Sequence, residues 1–153
     1  MPRLNHVAIV VEDLEAALPF FRDLLGLPLA RVADVPAEEV RIAFFPMEGG
    51  EIELVEPTTS ESGVARFLAR RGPGLHHICV EVDDLEATLG RLRAAGIQLI
   101  HETPLIGHDG TRYAFIHPKS AFGVLVELYE RVGGKASGRE GAPDRDGVEG
   151  PRG

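Results

Sequence analysis

Apolar and polar positions follow the same pattern in two stretches of the chain, residues 6–18 and 77–89. Seven of the 13 aligned residue pairs are identical. Each stretch begins with alternating β-branched residues, the period of a half-buried strand, and continues with apolar residues three or four apart, the period of a helix. Asp13 or Asp84 stands at each change of period, where its side chain can cap the helix. The pattern therefore predicts two repeated strand–helix units.

Three further strand candidates follow each predicted helix, separated by proline and glycine turns. They cover residues 29–35, 40–47 and 51–56 in the first repeat, and residues 98–102, 112–117 and 124–130 in the second. Both halves therefore read βαβββ. The predicted fold class is α+β, with paired βαβββ modules that form a curled, cupped mixed sheet.

The modules are expected to cover about residues 3–57 and 74–130 of a single domain, 1–132. A short helix over residues 60–72 is predicted to link them, because Val64, Phe67 and Leu68 follow helical spacing. Its arginines, Arg66, Arg70 and Arg71, could meet phosphates, but basic residues are favoured at a helix C-terminus in any case. Pro19 is expected to kink the first helix, because proline removes a backbone hydrogen bond.

Residue parity shows which strand side chains share a surface, since side chains alternate between the two faces. His6 shares its face with Ala8, and His77 shares its face with Cys79, while bulky aliphatic residues occupy the opposite faces. The aliphatic faces are expected to pack under the helices. The histidine faces, with their small neighbours, are expected to line a cavity.

Each module also carries a glutamate in its otherwise apolar last strand, Glu53 in the first and Glu127 in the second. A lone histidine is usually a satisfied polar group, and a lone glutamate usually lies on a solvated face. The duplication favours another interpretation, because it supplies two matched His–Glu pairs that meet in one site if the modules close on each other. Two imidazoles and two carboxylates suit a divalent ion such as zinc, nickel, cobalt or manganese.

Composition narrows the class of function. The net charge is −8, which argues against a nucleic-acid partner, because such proteins need positive charge to displace counterions from phosphates. Cys79 is the single cysteine, so no intrachain disulfide forms. The chain shows neither a spanning apolar run nor a signal peptide, so we expect a cytoplasmic protein without membrane contact. Residues 133–153 hold seven of the 18 glycines and are predicted to be a disordered tail.

Four motifs give the chain a family resemblance over about residues 3–130. They are Gly-Leu-His-His-Ile (74–78), Val-Asp-Asp-Leu-Glu (82–86), Phe-Ile-His-Pro-Lys-Ser (115–120) and Gly-Val-Leu-Val-Glu-Leu (123–128). With the paired modules, they resemble the vicinal oxygen chelate superfamily and, within it, the methylmalonyl-CoA epimerases. The resemblance implies a vicinal oxygen chelate fold around a metal, cobalt foremost, and a homodimer acting on an acyl-CoA.

The resemblance also implies roles for individual residues. The metal ligands would be His6, Glu53, His77 and Glu127. The reaction would remove the proton at C2 of methylmalonyl-CoA, stabilise the enolate on the metal and return a proton to the opposite face. Glu127 is expected to be the first base. Some members have a second catalytic glutamate where this chain has Ile42, so we hypothesise that Glu53 acts as both ligand and opposite base.

The sequence allows two interpretations of a pair of residues before the last strand. Lys119 and Ser120 could bind the substrate, or they could simply form a Pro-Lys-Ser turn before the last strand.

Two other functions are compatible with the same superfamily. A glyoxalase I-type lactoylglutathione lyase would use the same four ligands, but no group for a glutathione tripeptide is evident. A metal-free ligand-binding module would not need the histidines and glutamates. Ethylmalonyl-CoA remains possible as an alternative acyl-CoA substrate.

Overall fold

The computed structural model describes residues 1–107 and 110–131, and within these ranges the chain forms eight strands and three α-helices. The strands are β1 (Arg3–Val10), β2 (Arg31–Val35), β3 (Val40–Met47), β4 (Gly50–Pro57), β5 (Gly74–Val82), β6 (Leu105–Ile106), β7 (Arg112–Ile116) and β8 (Leu125–Glu130). The α-helices are α1 (Leu14–Leu18), α2 (Gly63–Arg71) and α3 (Leu85–Ala94). The tail predicted over 133–153 lies outside the described residues.

The chain divides into two compact units. The first unit is His6–His76, and the second contains Met1–Asn5 and the described residues from His77 onward. Every helix in the described ranges is too short or too polar to cross a membrane.

The first unit contains a four-stranded sheet in the order β2-β3-β4-β1. Strands β1 and β4 run parallel, and the other two pairs run antiparallel. Helix α1 covers one face of this sheet with an apolar cluster that includes Leu14, Phe45 and Leu54. Asp13 caps the helix as its sequence position predicts, since its carboxylate accepts a hydrogen bond from Glu15 N.

The second unit repeats this arrangement in the order β5-β8-β7-β6. Strands β5 and β8 run parallel, and the remaining pairs run antiparallel. Helix α3 packs on one face through Leu85 and Leu89, which are fully buried against Ala114 and Leu128. The repeated βαβββ order and the mixed strand directions confirm the predicted fold class.

One predicted strand, over residues 98–102, is wrong. Leu99 forms only an isolated bridge with Ile116, and the strand at this place is the two-residue β6. After Leu99, Phe115 N donates to the side-chain nitrogen Nδ1 of His101 rather than to a backbone carbonyl, so the pairing with β7 is interrupted and resumes at Leu105.

Pro19 is predicted to kink the first helix, but in the structure the α-helix ends just before it. Helix α1 ends at Leu18, and the chain continues as a π-helical segment, Pro19–Leu24. The absent proline N–H cannot bond to the carbonyl one α-turn earlier, which explains why the α-helical pattern ends there. The linking helix α2 begins after Ser62, whose hydroxyl accepts a hydrogen bond from Ala65 N, and is shorter than predicted.

Candidate functional site

The first unit holds a buried histidine–glutamate pair on neighbouring parallel strands. His6 lies on β1 and Glu53 on β4, where Ala8 is the direct partner of Glu53. His6 Nε2 lies 3.2 Å from Glu53 Oε2, and the side chains are 1% and 0% exposed. A buried carboxylate is costly unless a polar group compensates it, so each side chain makes the burial of the other possible.

The second unit holds the matching pair. His77 lies on β5 and Glu127 on β8, where Cys79 is the direct partner of Glu127. His77 Nε2 lies 3.4 Å from Glu127 Oε2, and the side chains are 4% and 0% exposed. The two units therefore place the same two residue types at nearly the same separation.

Both pairs lie on the sheet face that residue parity predicts. The opposite faces carry the apolar clusters under α1 and α3, with Ile9 and Ile52 packed in the first and Val80 and Val126 in the second. On the histidine faces, the small side chains of Ala8 and Cys79 are completely buried.

The spacing within each pair fits two ligands of one metal ion. Ligand atoms about 2.0–2.2 Å from a zinc ion lie about 2.8–3.6 Å apart when they subtend about 90° to 109° at the metal. The observed separations of 3.2 and 3.4 Å fall within that range. Imidazole nitrogen and carboxylate oxygen are both donors that zinc and similar ions accept. Each pair is therefore suited to supply half of a four-ligand site.

A phenylalanine stands directly opposite each glutamate, and neither phenylalanine is among the predicted site residues. Phe44 on β3 is the partner of Glu53, and Phe115 on β7 is the partner of Glu127. Phe115 also meets the His77 ring edge to face, with ring centroids 6.1 Å apart. A sequence signal was available, because 38 residues separate the histidine from the phenylalanine in both modules.

A nitrogen-bearing side chain packs on each phenylalanine. The Arg31 guanidinium carbon lies 4.1 Å from the centroid of the Phe44 ring. His101 meets the Phe115 ring at 5.9 Å, and its Nδ1 accepts a hydrogen bond from Phe115 N at 3.3 Å. Desolvation by burial holds the pKa of His101 below its ordinary value of 6.5, so the ring stays neutral and can accept this bond.

Ile42 supplies no catalytic group at the place where the resemblance implies a second glutamate. Its side chain is 2% exposed, and it pairs with Val55 across β3 and β4. Tyr113 stands at the corresponding place in the second module, pairs with Tyr129 and is also buried.

The structure gives Ser120 a place in the turn before β8. Its hydroxyl accepts a hydrogen bond from Gln98 N at 2.9 Å. Lys119 N donates to His117 Nδ1 at 3.0 Å, and the Lys119 side chain is exposed. These contacts explain the Pro-Lys-Ser turn, and substrate binding by either residue stays a prediction.

The chain is similar to known proteins over most of its length. Residues 5–115 match the model of the glyoxalase/bleomycin resistance protein/dioxygenase superfamily. An ethylmalonyl-CoA/methylmalonyl-CoA epimerase of Cereibacter sphaeroides is 42% identical over 128 residues, which is 82% of this chain and 96% of the relative.

Two solved structures are similar in both fold and sequence. The crystal structure of methylmalonyl-CoA epimerase from Mycobacterium tuberculosis has a TM-score of 0.73 and 38% identity, and the match covers 86% of this chain and 89% of that one. A methylmalonyl-CoA epimerase in complex with methylmalonyl-CoA and NH4+ also has a TM-score of 0.73, with 31% identity and coverage of 86% and 96%.

Proposed function

Because the chain belongs to the glyoxalase/bleomycin resistance protein/dioxygenase superfamily and resembles its methylmalonyl-CoA epimerases over most of its length, we propose that it interconverts the two C2 epimers of methylmalonyl-CoA. The observation that carries this proposal is the repeated buried His–Glu pair, one in each unit. Such a pair holds a carboxylate in a dry environment, where it can act on a weakly acidic C–H bond.

We further propose that His6, Glu53, His77 and Glu127 together bind one divalent metal ion. The duplication of the module, the donor types and the separations within each pair support this set. The bound ion would supply Lewis-acid stabilisation to the negative charge that develops on the substrate oxygens. Cobalt, zinc, nickel and manganese all accept these donors.

The proton transfers are assigned to the two glutamates. The C2 proton lies between a thioester and a carboxylate, so its removal leaves electrons that delocalise into the thioester carbonyl. Glu127 takes this proton from one face, and Glu53, protonated on the oxygen that would not bind the metal, returns a proton to C2 from the other face. Afterwards Glu127 is protonated and Glu53 is ionised, and exchange with solvent restores the starting state.

Glu53 is assigned to the second face because Ile42 is apolar. On the strands beside β4, the first-unit face that holds His6 presents Ala8 on β1 and Ile42 and Phe44 on β3, none of which can carry a proton. Glu53 is buried on this face beside His6, so it is the carboxylate of the first unit best placed for this role.

Solvent deuterium uptake at C2 tests the proposal directly. Methylmalonyl-CoA is incubated in D2O with metal-reconstituted protein, and deuterium at C2 is measured by mass spectrometry beside a chelator-treated control. We expect rapid uptake that depends on the metal and accompanies loss of optical purity. Metal-bound protein that produces no uptake would refute the epimerase assignment.

A further inference from the structure

Arg31 is an exposed cation that is held in place by an aromatic ring. Its guanidinium carbon lies 4.1 Å from the centroid of the Phe44 ring, well within the range of a cation–π contact. Phe44 itself is only 3% exposed, so the ring is a fixed platform. Stacking of this kind orders the planar guanidinium and leaves its N–H donors directed to a ligand or to water.

Strand register connects this cation to the first His–Glu pair. Arg31 on β2 is the direct partner of Phe44 on β3, and Phe44 is the direct partner of Glu53 on β4. Direct partners in an antiparallel sheet point to the same face, so the three side chains form one row across the sheet. Two strand spacings separate the Arg31 and Glu53 backbones, a distance of about 10 Å.

The charge of Arg31 is not neutralised by a neighbouring acid. The ion pairs within residues 1–107 and 110–131 involve other cationic groups, such as Arg41 with Asp34 and Arg112 with Glu86. In a chain with a net charge of −8, Arg31 stacks on a ring and forms no ion pair with the acidic residues of the described ranges. A guanidinium that is ordered by stacking and forms no ion pair is suited to bind an anion, and the geometry of phosphate matches its planar set of N–H donors.

We propose that Arg31, stacked on Phe44, binds a phosphate group of the coenzyme A part of the substrate. This inference rests on the proposed function, which places the reacting carbon beside Glu53. The malonyl carboxylate is bonded to that same carbon, where the proposed metal ion would neutralise its charge. The pantetheine arm is uncharged, and the next anionic groups of an acyl-CoA are its phosphates.

Steady-state kinetics with two thioesters tests the assignment. The variants R31Q and R31K are compared with the unsubstituted protein on methylmalonyl-CoA and on methylmalonyl-pantetheine, which lacks every phosphate. A charge-assisted hydrogen bond predicts that R31Q lowers kcat/KM for the CoA thioester about ten-fold, through KM. R31Q and the unsubstituted protein are expected to react equally well with the pantetheine thioester. R31K keeps the charge without the planar fork, so its kcat/KM for the CoA thioester is expected to lie between the values for R31Q and the unsubstituted protein.

R71Q is the matched control, because Arg71 also lies over an aromatic ring, 5.7 Å from the centroid of Phe67 on α2. We expect R71Q to leave the kinetics with both thioesters unchanged. Equal losses with both thioesters in R31Q would indicate a purely structural effect and would overturn the proposal. A loss of CoA recognition in R71Q instead of R31Q would overturn it as well.

Binding of free coenzyme A separates this proposal from the proposed function. Calorimetry with coenzyme A needs no turnover, so the ratio of dissociation constants for R31Q and the unsubstituted protein is measurable even if no epimerisation occurs. We expect about ten-fold weaker binding in R31Q. Identical affinities in the two proteins, or no coenzyme A binding in either, would reject the phosphate assignment.

Discussion

Glu53 and Glu127 occupy corresponding places in the two modules, yet the proposal gives them opposite faces of the substrate. Both are fully buried, and both lie within 3.4 Å of a histidine nitrogen. The proposed mechanism therefore predicts that each glutamate acts on a different epimer. Glutamine variants test this, because an amide keeps an oxygen ligand but cannot carry the proton.

We expect E53Q and E127Q to retain metal and to lose epimerisation by at least about 10²-fold, the lower range of general acid–base catalysis. E53Q should still exchange the C2 proton of the epimer that faces Glu127, without inverting it, and E127Q should exchange only the other epimer. Deuterium exchange with each pure epimer, together with metal analysis, provides the measurement. Full epimerase activity in E53Q would contradict its role as the second base.

His101 makes the stability of the protein depend on pH. Burial lowers its folded-state pKa below 6.5, and its neutral Nδ1 accepts the bond from Phe115 N. As the pH falls below 6.5, the unfolded chain takes up a proton that the folded chain still resists. Stability supplied by neutral His101 is therefore present above pH 6.5 and is lost as the pH falls through the folded-state pKa.

Replacement by glutamine should remove this dependence. We expect the difference in unfolding temperature between the unsubstituted protein and H101Q to be constant above about pH 7.5 and to diminish in acid, since unperturbed histidine titrates near 6.5. An NMR titration of the His101 ring in the folded protein checks the premise. A ring that titrates at or above 6.5 would be inconsistent with it.

At the scale of elements, the two modules share a helix-capping contact that does not come from the N-cap residue. Glu56 at the end of β4 accepts a hydrogen bond from Leu14 N at 2.7 Å, and Glu130 at the end of β8 accepts one from Leu85 N at 2.8 Å. A carboxylate at a helix N-terminus satisfies an unpaired N–H and interacts favourably with the helix dipole. Each of these glutamates therefore connects a helix N-terminus by a hydrogen bond to the last strand of the same module.

The cap on α3 is the clearer one to test, because that helix is ten residues long. We expect E130A to lower the free energy of unfolding by about 1–2 kcal/mol, the cost of losing a helix cap. E130Q keeps an acceptor without the charge and should lose less. Urea unfolding of E130A, E130Q and the unsubstituted protein gives the three free energies of unfolding. An E130A variant as stable as the unsubstituted protein would contradict the capping role of Glu130.

At the scale of the whole molecule, the proposal makes both modules ligands of a single ion. Metal-free protein titrated with Co²⁺ in a calorimeter should therefore bind one ion per chain. H6A and H77A should each abolish the same binding event, although the two histidines belong to different modules.

Metal binding should also stabilise the fold, by about 2.7 kcal/mol when free metal is 100 times the dissociation constant. The rise in unfolding temperature should disappear in both histidine variants. Two ions per chain, with one lost in each variant, would show that the two His–Glu pairs act as separate sites and would contradict a shared ion.

Much of the fold follows from local sequence patterns. Alternating residues determine which face of each strand is apolar, and Asp13 and Asp84 determine where the helices begin, because these effects act over a few residues. The same reasoning assigned His6 and His77 to strand faces away from the helices, and the structure has both residues there, buried beside Glu53 and Glu127. The repeat made them recognisable as two pairs.

Other features depended on strand register and packing, which join residues far apart in the chain. Parity gives the face of Phe44 or Phe115 but not its neighbour across the sheet, and only the register places each opposite a glutamate. The stacking of Arg31, the desolvation of His101 and the cap from Glu130 arise in the same way, since each contact forms only when separate strands and loops pack together. The sequence by itself determined the modules and their faces, and the tertiary structure decided which side chains surround each His–Glu pair.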